Sequence, residues 1–528
     1  MAKNKKGVSL EASLWAACNK LRGSVSATDY VNVVLGLLFL RFASDKFYNQ
    51  REKLLSDEDT KIMVDSPRAY TKDTVFYLEE TDRWDYIVKN SKKPEIFNII
   101  DEAFKNMEKN NARFLKGALP IGFYLQLHIE SSKFSSLIDE INKMEYSKDE
   151  SSDVIGRVYE YFLRKFCIAA KSEKGEFYTP GNIVELMTQI LQPYSGSVYD
   201  PCCGSGGMFV QSEEFIKKHK GNTKLITVYG QEANPKTYQL ARMNLAIRGI
   251  PCDLGDEDAD TFSKDKHKDL RNKIDFILAN PPFNLKNWRS ENELVNDDRW
   301  SGYDIPPTSN ANYAWILHML SKLEYNGTAA FLLANGALGS TDPISEYNIR
   351  KKLIEDNHIE AIIVLPRNMF YATDISVTLW IMEQHKKEKK VIRNDHEVQL
   401  RNRENEILFI DARQLGDGGN NEDKYVLLTQ EDKDKIANTL FNWQMPNYEE
   451  VYKDIPEFCC SASLDAIRNN NYSLVPSKYI EFIDRDLNID YEKEMARIQT
   501  EMRDLIKEEK ESQDSLEKAF KGIGYEID

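Results

Sequence analysis

Between residues 154 and 412, short β-rich runs alternate with helix-length segments, and no other feature of the chain constrains its fold as strongly. The runs are SVYD (197–200), LITVYGQE (225–232), DFILAN (275–280), GTAAFLLAN (327–335), IEAIIVLP (359–366), SVTLWIMEQ (376–384) and EILFIDA (406–412). In the intervening NPKTYQLARMNLAIRG, Asn234 suits an N-cap, Pro235 the first turn and Gly249 the helix stop. Such alternation predicts an α/β fold, a Rossmann-like, doubly wound and mostly parallel sheet. The charged stretch HKKEKKVIRNDHEVQLRNRENE between the last two runs reads as a solvated insertion.

The flanks differ. Residues 1–150 show helical spacing and few strand signals, as in LEASLWAACNKLRG, which closes on Gly23. They predict an all-α N-terminal domain, ended by the polar joint Ser147–Asp153. The α/β domain is expected over 151–415, a mixed extension over 416–490 and a charged helix over 491–528. On that helix Tyr491, Met495, Ile498, Met502 and Leu505 fall four, three, four and three apart, a short heptad seam. The seam fits packing on the helix's own domain or docking on a partner helix.

The chemistry-bearing residues sit where the runs end. VYDPCCGSGGMFV carries Asp200 at a strand end and turns through Gly204, Ser205 and Gly206 into a helix. Glycines there let a ligand lie against bare backbone, beside the free N–H groups of a helix start. In open α/β sheets ligands bind in this crevice. The pattern is D-x-x-x-G-x-G-G rather than G-x-G-x-x-G, which disfavours a dinucleotide. Glu232, at the next strand end, suits the two hydroxyls of a ribose. A nucleoside cofactor follows, and S-adenosyl-L-methionine fits, with adenosine at one end and an amino acid at the other. The third run ends in Asn280, Pro281, Pro282 and Phe283. Two prolines stiffen the exit and remove two donors. The Asn280 side-chain oxygen and the Pro281 carbonyl are then acceptors for both protons of an exocyclic amine, with Phe283 stacking on its ring.

Taken in order, the glycine bend, the ribose-type glutamate and N-P-P-F resemble the DNA adenine-N6 methyltransferases. LRGSVSATDYVNVVLGLLFLRFASDKF (21–47), GEFYTP (175–180), ADTF (259–262) and LPRNMFYATDIS (365–376) narrow the resemblance to the modification (M) subunit of type I restriction–modification systems. It spans about residues 10–412. The resemblance implies that Phe177, Tyr178, Thr179 and Pro180 line the methionine end of the cofactor. It gives Asp260 to the cofactor's adenine amine and Phe262 to its ring, with Asp256 and Asp258 as competing registers. It also implies that Phe370 stacks on the target base together with Phe283, and that transfer is direct, with no metal and no covalent intermediate.

Charge bears on partners. The 528 residues hold 70 basic and 85 acidic side chains, a net charge of −15. A lone DNA binder ordinarily presents a basic face, because phosphate contacts carry much of the affinity. The resemblance implies double-stranded DNA as substrate, read by a separate specificity (S) subunit with two M per S, and a restriction (R) subunit in the full complex. Seven cysteines form no C-x-x-C pair, and no apolar run reaches membrane-spanning length, so a cytoplasmic protein with no membrane contact is expected. Two other readings share parts of the pattern: an N-methyltransferase of a protein glutamine or an RNA base, and a catalytically silent assembly subunit.

Overall fold

The computed structural model describes Trp15, Lys165 and residues 27–71, 75–143, 158–162, 179–219, 221–370, 376–419, 425–483 and 491–522. The chain divides into two compact units, Met1–Ile480 and Glu481–Asp528.

In the first unit the N-terminal segment is helical. Its main helices are α1 (Ala27–Ser56), α2 (Trp84–Asn90), α3 (Ile96–Asn110) and α4 (Ser131–Asn142). Val33 through Leu40 of α1 are buried all round, which makes α1 the central helix. The α3 helix is amphipathic instead, burying Ile96, Ile100, Phe104 and Met107 on one face.

The α/β part begins with α5 (Gly181–Leu191), β1 (Gly196–Asp200), α6 (Gly207–Lys218), β2 (Ile226–Gly230), α7 (Pro235–Arg248) and β3 (Cys252–Asp253). It continues through β4 (Ile274–Ala279), α8 (Asn312–Lys322), β5 (Leu323–Ala334), α9 (Ile344–Glu355), β6 (Ile359–Val364) and β7 (Val377–Glu383). Then come β8 (Lys389–Arg393), β9 (His396–Leu400), β10 (Glu406–Asp411), α10 (Gln430–Gln444) and β11 (Cys459–Ser463). The α7 helix starts and stops as its residues require. Asn234 Oδ1 accepts from the amides of Lys236 and Thr237, and Gly249 closes it at φ 70°.

Nine strands form one sheet in the order β11-β10-β6-β7-β5-β4-β1-β2-β3. The pairings are parallel except β7 with both neighbours and β11 with β10. Alternate strand residues feed two cores. Leu278, Leu332 and Ile363 pack with residues of α5, α6 and α10, whereas Ile277, Phe331 and Ile362 pack with α8 and α9. Met243 and Ile247 of α7 join the N-terminal core, which ties the helical segment to the sheet.

Two expectations change. The charged stretch after β7 is not a loose insertion but the β8–β9 hairpin, turned by Asn394 and Asp395 at φ 47° and 66°. Its charges mask a period of two, with Val391 opposite Val398 and Lys390 bonded to Glu397 at 2.7 Å. The sheet also does not stop near residue 415: β11 pairs along β10, and α10 covers the same sheet. The run CCSAS is short and small-sided, so its strand character is set by the edge it completes.

The second unit carries helix α11 (Tyr491–Gly522). Tyr491, Met495, Ile498, Met502 and Leu505 are all exposed on it. No described helix is long and apolar enough to cross a membrane.

Candidate active site

The strand order reverses between β1 and β4, and in an open α/β sheet this switch point opens the ligand crevice. Tyr199 of β1 lies level with Ile277 of β4. The glycine bend after Asp200 and the N-P-P-F turn after Ala279 therefore leave the same edge from neighbouring strands.

The glycine bend is held open by its own backbone and by Glu232. Gly204 and Gly206 have φ of 54° and 80°, a region that side-chain-bearing residues enter at a cost. The Gly204 amide donates to Glu232 Oε2 at 3.1 Å, and the Asn234 amide donates to Oε1 at 2.8 Å. Each carboxylate oxygen keeps a lone pair, so Glu232 can still accept from two hydroxyls. The buried Asn244 amide fastens the bend from below, donating to the Ser205 carbonyl at 2.7 Å.

Asp200 is buried, and its carboxylate accepts from the Cys202 amide at 3.0 Å. Burial pushes its pKa up to about 7; the Cys202 hydrogen bonds oppose the rise and the Glu232 charge adds to it. Burial also raises Glu232, against the amides of Asn234 and Gly204. The sign of the linkage follows. With a folded pKa near 7 and an unfolded value of about 3.9, Asp200 contributes most to stability below pH ~4, and that contribution is lost as pH rises through 7. Melting curves between pH 5 and 8 should therefore fall more steeply for the wild type than for Asp200→Asn; parallel curves would refute the assignment.

The loop 258–264 closes the crevice over both strand ends. Thr261 Oγ1 donates to the Pro201 carbonyl at 2.6 Å, and the Ala259 amide donates to the Glu232 carbonyl at 2.9 Å. The three aspartates named for the adenine amine separate here. Asp256 pairs with Lys266 at 2.6 Å. Asp260 Oδ1 accepts from the Phe262 amide and from the amide and hydroxyl of Ser263, as in a turn cap. Asp258 is half-buried, and its charge adds a little to the rise of the Glu232 pKa. Phe262 differs from expectation. Its ring is 1% exposed, packed 4.5 Å from Trp288 and 4.3 Å from Trp315, and has no open face for a purine.

At the β4 end, Asn280 Nδ2 donates to Thr179 Oγ1 at 3.0 Å. Asn280 Oδ1 is buried and has no partner among the described residues. Leaving a buried acceptor unpaired costs roughly 1–3 kcal/mol. Thr179 thus touches the Asn280 amide, and Pro180 caps α5 beside it. Phe177 and Tyr178 lie outside the described residues. Pro281 is buried, while Pro282 and Phe283 are half-buried. Phe283 and Phe370 meet with centroids 5.9 Å apart and planes at 83°, edge to face rather than as two parallel walls.

Residues that sequence reasoning missed support the turn. The Asn284 amide donates to Asn312 Oδ1 at 3.1 Å, and Asn312 Nδ2 donates back to Asn284 Oδ1 at 2.9 Å. Asn284 sits at φ 53°, so an asparagine directly after N-P-P-F was the available signal.

A doubly wound sheet whose switch-point crevice is bordered by a glycine bend, a glutamate at the next strand end and an amide–proline turn is a Rossmann-like methyltransferase fold. Comparison with known proteins makes this particular. The N-6 DNA methylase family model matches residues 150–486, and the HsdM N-terminal domain model matches residues 10–159. The HindI type I restriction enzyme methylase subunit of Haemophilus influenzae is 38% identical over 443 residues, covering 82% of this chain and 93% of that protein. The MjaIX methylase subunit of Methanocaldococcus jannaschii is 31% identical, covering 98% and 91%. A type I restriction–modification methyltransferase subunit from Streptococcus thermophilus shares the fold, with a TM-score of 0.72 at 24% identity over 89% of this chain and 99% of that one. The chain belongs to the N-6 DNA methylase family, as a methylase subunit of the type I restriction enzymes, and is an adenine-specific DNA methyltransferase.

Proposed function

We propose that this subunit transfers the methyl group of S-adenosyl-L-methionine to N6 of an adenine rotated out of duplex DNA, at sites chosen by a separate specificity subunit. The observation that carries the proposal is the buried Asn280 Oδ1, unpartnered among the described residues, at the switch point beside the glycine bend. S-adenosyl-L-methionine supplies an electrophilic methyl when bound. Glu232, with two acceptor positions left, suits its ribose; Gly204, Ser205 and Gly206 let it approach the backbone; Asp258 or Asp260 reads its adenine; Asp200 and Thr179–Pro180 border its amino-acid end.

Adenine N6 is a poor nucleophile because its lone pair spreads into the ring. Asn280 Oδ1 and the Pro281 carbonyl, accepting its two protons, favour a pyramidal nitrogen whose lone pair faces the cofactor. The methylated amine is left cationic and sheds its extra proton to solvent, since neither amide oxygen is basic enough to keep it. An N6 inside a paired stack cannot reach this crevice, so the base must be extruded at a cost of a few kcal/mol. Phe283 and Phe370 offset part of that cost by stacking. Two parallel rings around a base stand about 7 Å apart, twice a van der Waals contact of ~3.5 Å, so the observed edge-to-face pair must turn and open as the base enters.

The acidic balance supports a division of labour in which DNA sequence is read elsewhere. Two of these subunits per specificity subunit, with a restriction subunit added for cleavage, complete the assembly. The exposed seam of α11 suits docking on a helix of the specificity subunit. The test is transfer of labelled methyl from S-adenosyl-L-methionine to DNA, with and without the product of a neighbouring specificity gene. Strong stimulation by that product is expected, with loss of co-purification when residues 491–528 are deleted. Equal transfer without the product would overturn the division of labour, and a stable complex of the truncated chain would overturn the docking role.

A further inference from the structure

Arg299 is sequestered between the crevice loop and the long segment that follows N-P-P-F. Its guanidinium grips Asp297 through Nε at 2.7 Å and Nη2 at 2.8 Å. The same fork donates to the Thr261 carbonyl through Nη1 at 2.9 Å and to the Phe262 carbonyl through Nη2 at 2.7 Å. Thr261 and Phe262 directly follow Asp260, and the Thr261 hydroxyl is bonded to the residue after Asp200. Behind Arg299, Nη1 lies 3.3 Å from His318 Nδ1, and His318 Nε2 lies 3.0 Å from the Tyr199 hydroxyl. Burial holds the His318 pKa well below its usual value, so the ring is neutral. With Arg299 donating to Nδ1, the proton sits on Nε2 and points at Tyr199, the neighbour of Asp200 in β1. A continuous polar chain thus runs from the cofactor strand through α8 to Arg299 and out to the crevice loop. Trp288, in the segment after N-P-P-F, packs on Phe262 from the same side.

We infer that Arg299 is a positioning residue that sets the loop bearing Asp258 and Asp260 against the adenine end of the cofactor, and so determines how strictly adenine is chosen there. The inference rests on the cofactor reading given under Proposed function. Only a planar fork reaches both carbonyls and Asp297 at once; a lysine ammonium satisfies one or two of them. Among the described residues Arg299 has no hydrogen bond or ring contact with Asn280, Pro281, Pro282 or Phe283, so its loss acts on cofactor affinity and selectivity ahead of turnover.

The test compares S-adenosylhomocysteine with its inosine analogue, in which the exocyclic amine is an oxygen, by calorimetric titration of the full-length chain. Wild type is expected to favour the adenine compound. Arg299→Met should weaken S-adenosylhomocysteine binding about 10–100-fold, the order of one charge-assisted carbonyl bond. It should also draw the adenine-to-inosine ratio towards one, with Arg299→Lys between. In the specificity complex, KM for the cofactor should rise while kcat stays within about threefold. If Arg299→Met does not fold, the ratio in Arg299→Lys decides. A ratio unchanged from wild type, or a wild type indifferent to the amine, overturns the inference alone. A wild type that binds neither compound overturns the cofactor reading itself.

Discussion

Asn280→Ala is expected to lower methyl transfer by about a thousandfold, the order seen when one preorganised polar group is removed from a reacting centre, while cofactor affinity stays within a few-fold of wild type. The expectation follows from which atom is left open. Asn280 Nδ2 is engaged by Thr179, which orients the amide and leaves Oδ1 buried with no partner among the described residues. Removing the side chain deletes that acceptor and touches neither the glycine bend nor Glu232. Thr179→Val should act in the same direction but more weakly, because it frees the amide to turn without deleting it. Single-turnover transfer of labelled methyl, paired with calorimetric cofactor titration, separates the two quantities. Wild-type transfer by an Asn280→Ala chain that still binds cofactor would remove Asn280 from the reaction.

That site was legible in part because its pieces are local. A strand that ends in G-x-G-G or N-P-P-F announces its turn in consecutive residues, and the parallel strands are continuous apolar runs such as Phe276–Ala279. What escaped depended on distance along the chain. Thr179 meets Asn280 across 101 residues, and Arg299 meets Thr261 across 38, and no local pattern encodes either. Phe262 shows the converse failure. The motif ADTF supplies an aromatic ring, but nothing local tells that Trp288 and Trp315 pack against it, with centroids 4.5 and 4.3 Å away. The β8–β9 hairpin was hidden because charged and apolar residues share both faces: Lys389 is buried alongside Leu400 and the half-buried Val391 and Val398, while Ile392 is exposed beside Lys390 and Glu397. Edge strand β11 has no apolar run at all; its pairing comes from β10.

The largest effect on stability is expected at the opposite edge of the sheet. Glu360 opens β6 and Glu383 ends the antiparallel β7, so both carboxylates lie at the edge remote from the crevice. Arg403 is fully buried between them, donating to Glu360 at 2.6 Å and to Glu383 at 3.1 Å. Lys389 adds a second cation at Glu383, 2.9 Å away, and Gln444 donates to Glu360 at 2.5 Å. Burial alone pushes the Glu360 carboxyl up, yet Arg403, Lys386 and Gln444 together hold it below the usual carboxylate range. Arg403→Met removes the cation hydrogen-bonded to both acids and leaves Glu360 buried with only the Lys386 charge and the Gln444 amide beside it. Breaking a buried pair in this way costs about 3–5 kcal/mol, a large fraction of the stability of an ordinary domain. Neutralising the stranded acid should recover much of the loss, so Arg403→Met with Glu360→Gln is expected to be more stable than Arg403→Met alone, a coupling that a double-mutant cycle reads directly. Because the network lies away from Asn280 and Glu232, methyl transfer per folded molecule should be unchanged at temperatures where the variants stay folded. Denaturant midpoints for the four chains of the cycle decide the matter: strictly additive losses would mean that the buried acid is not what destabilises the single variant.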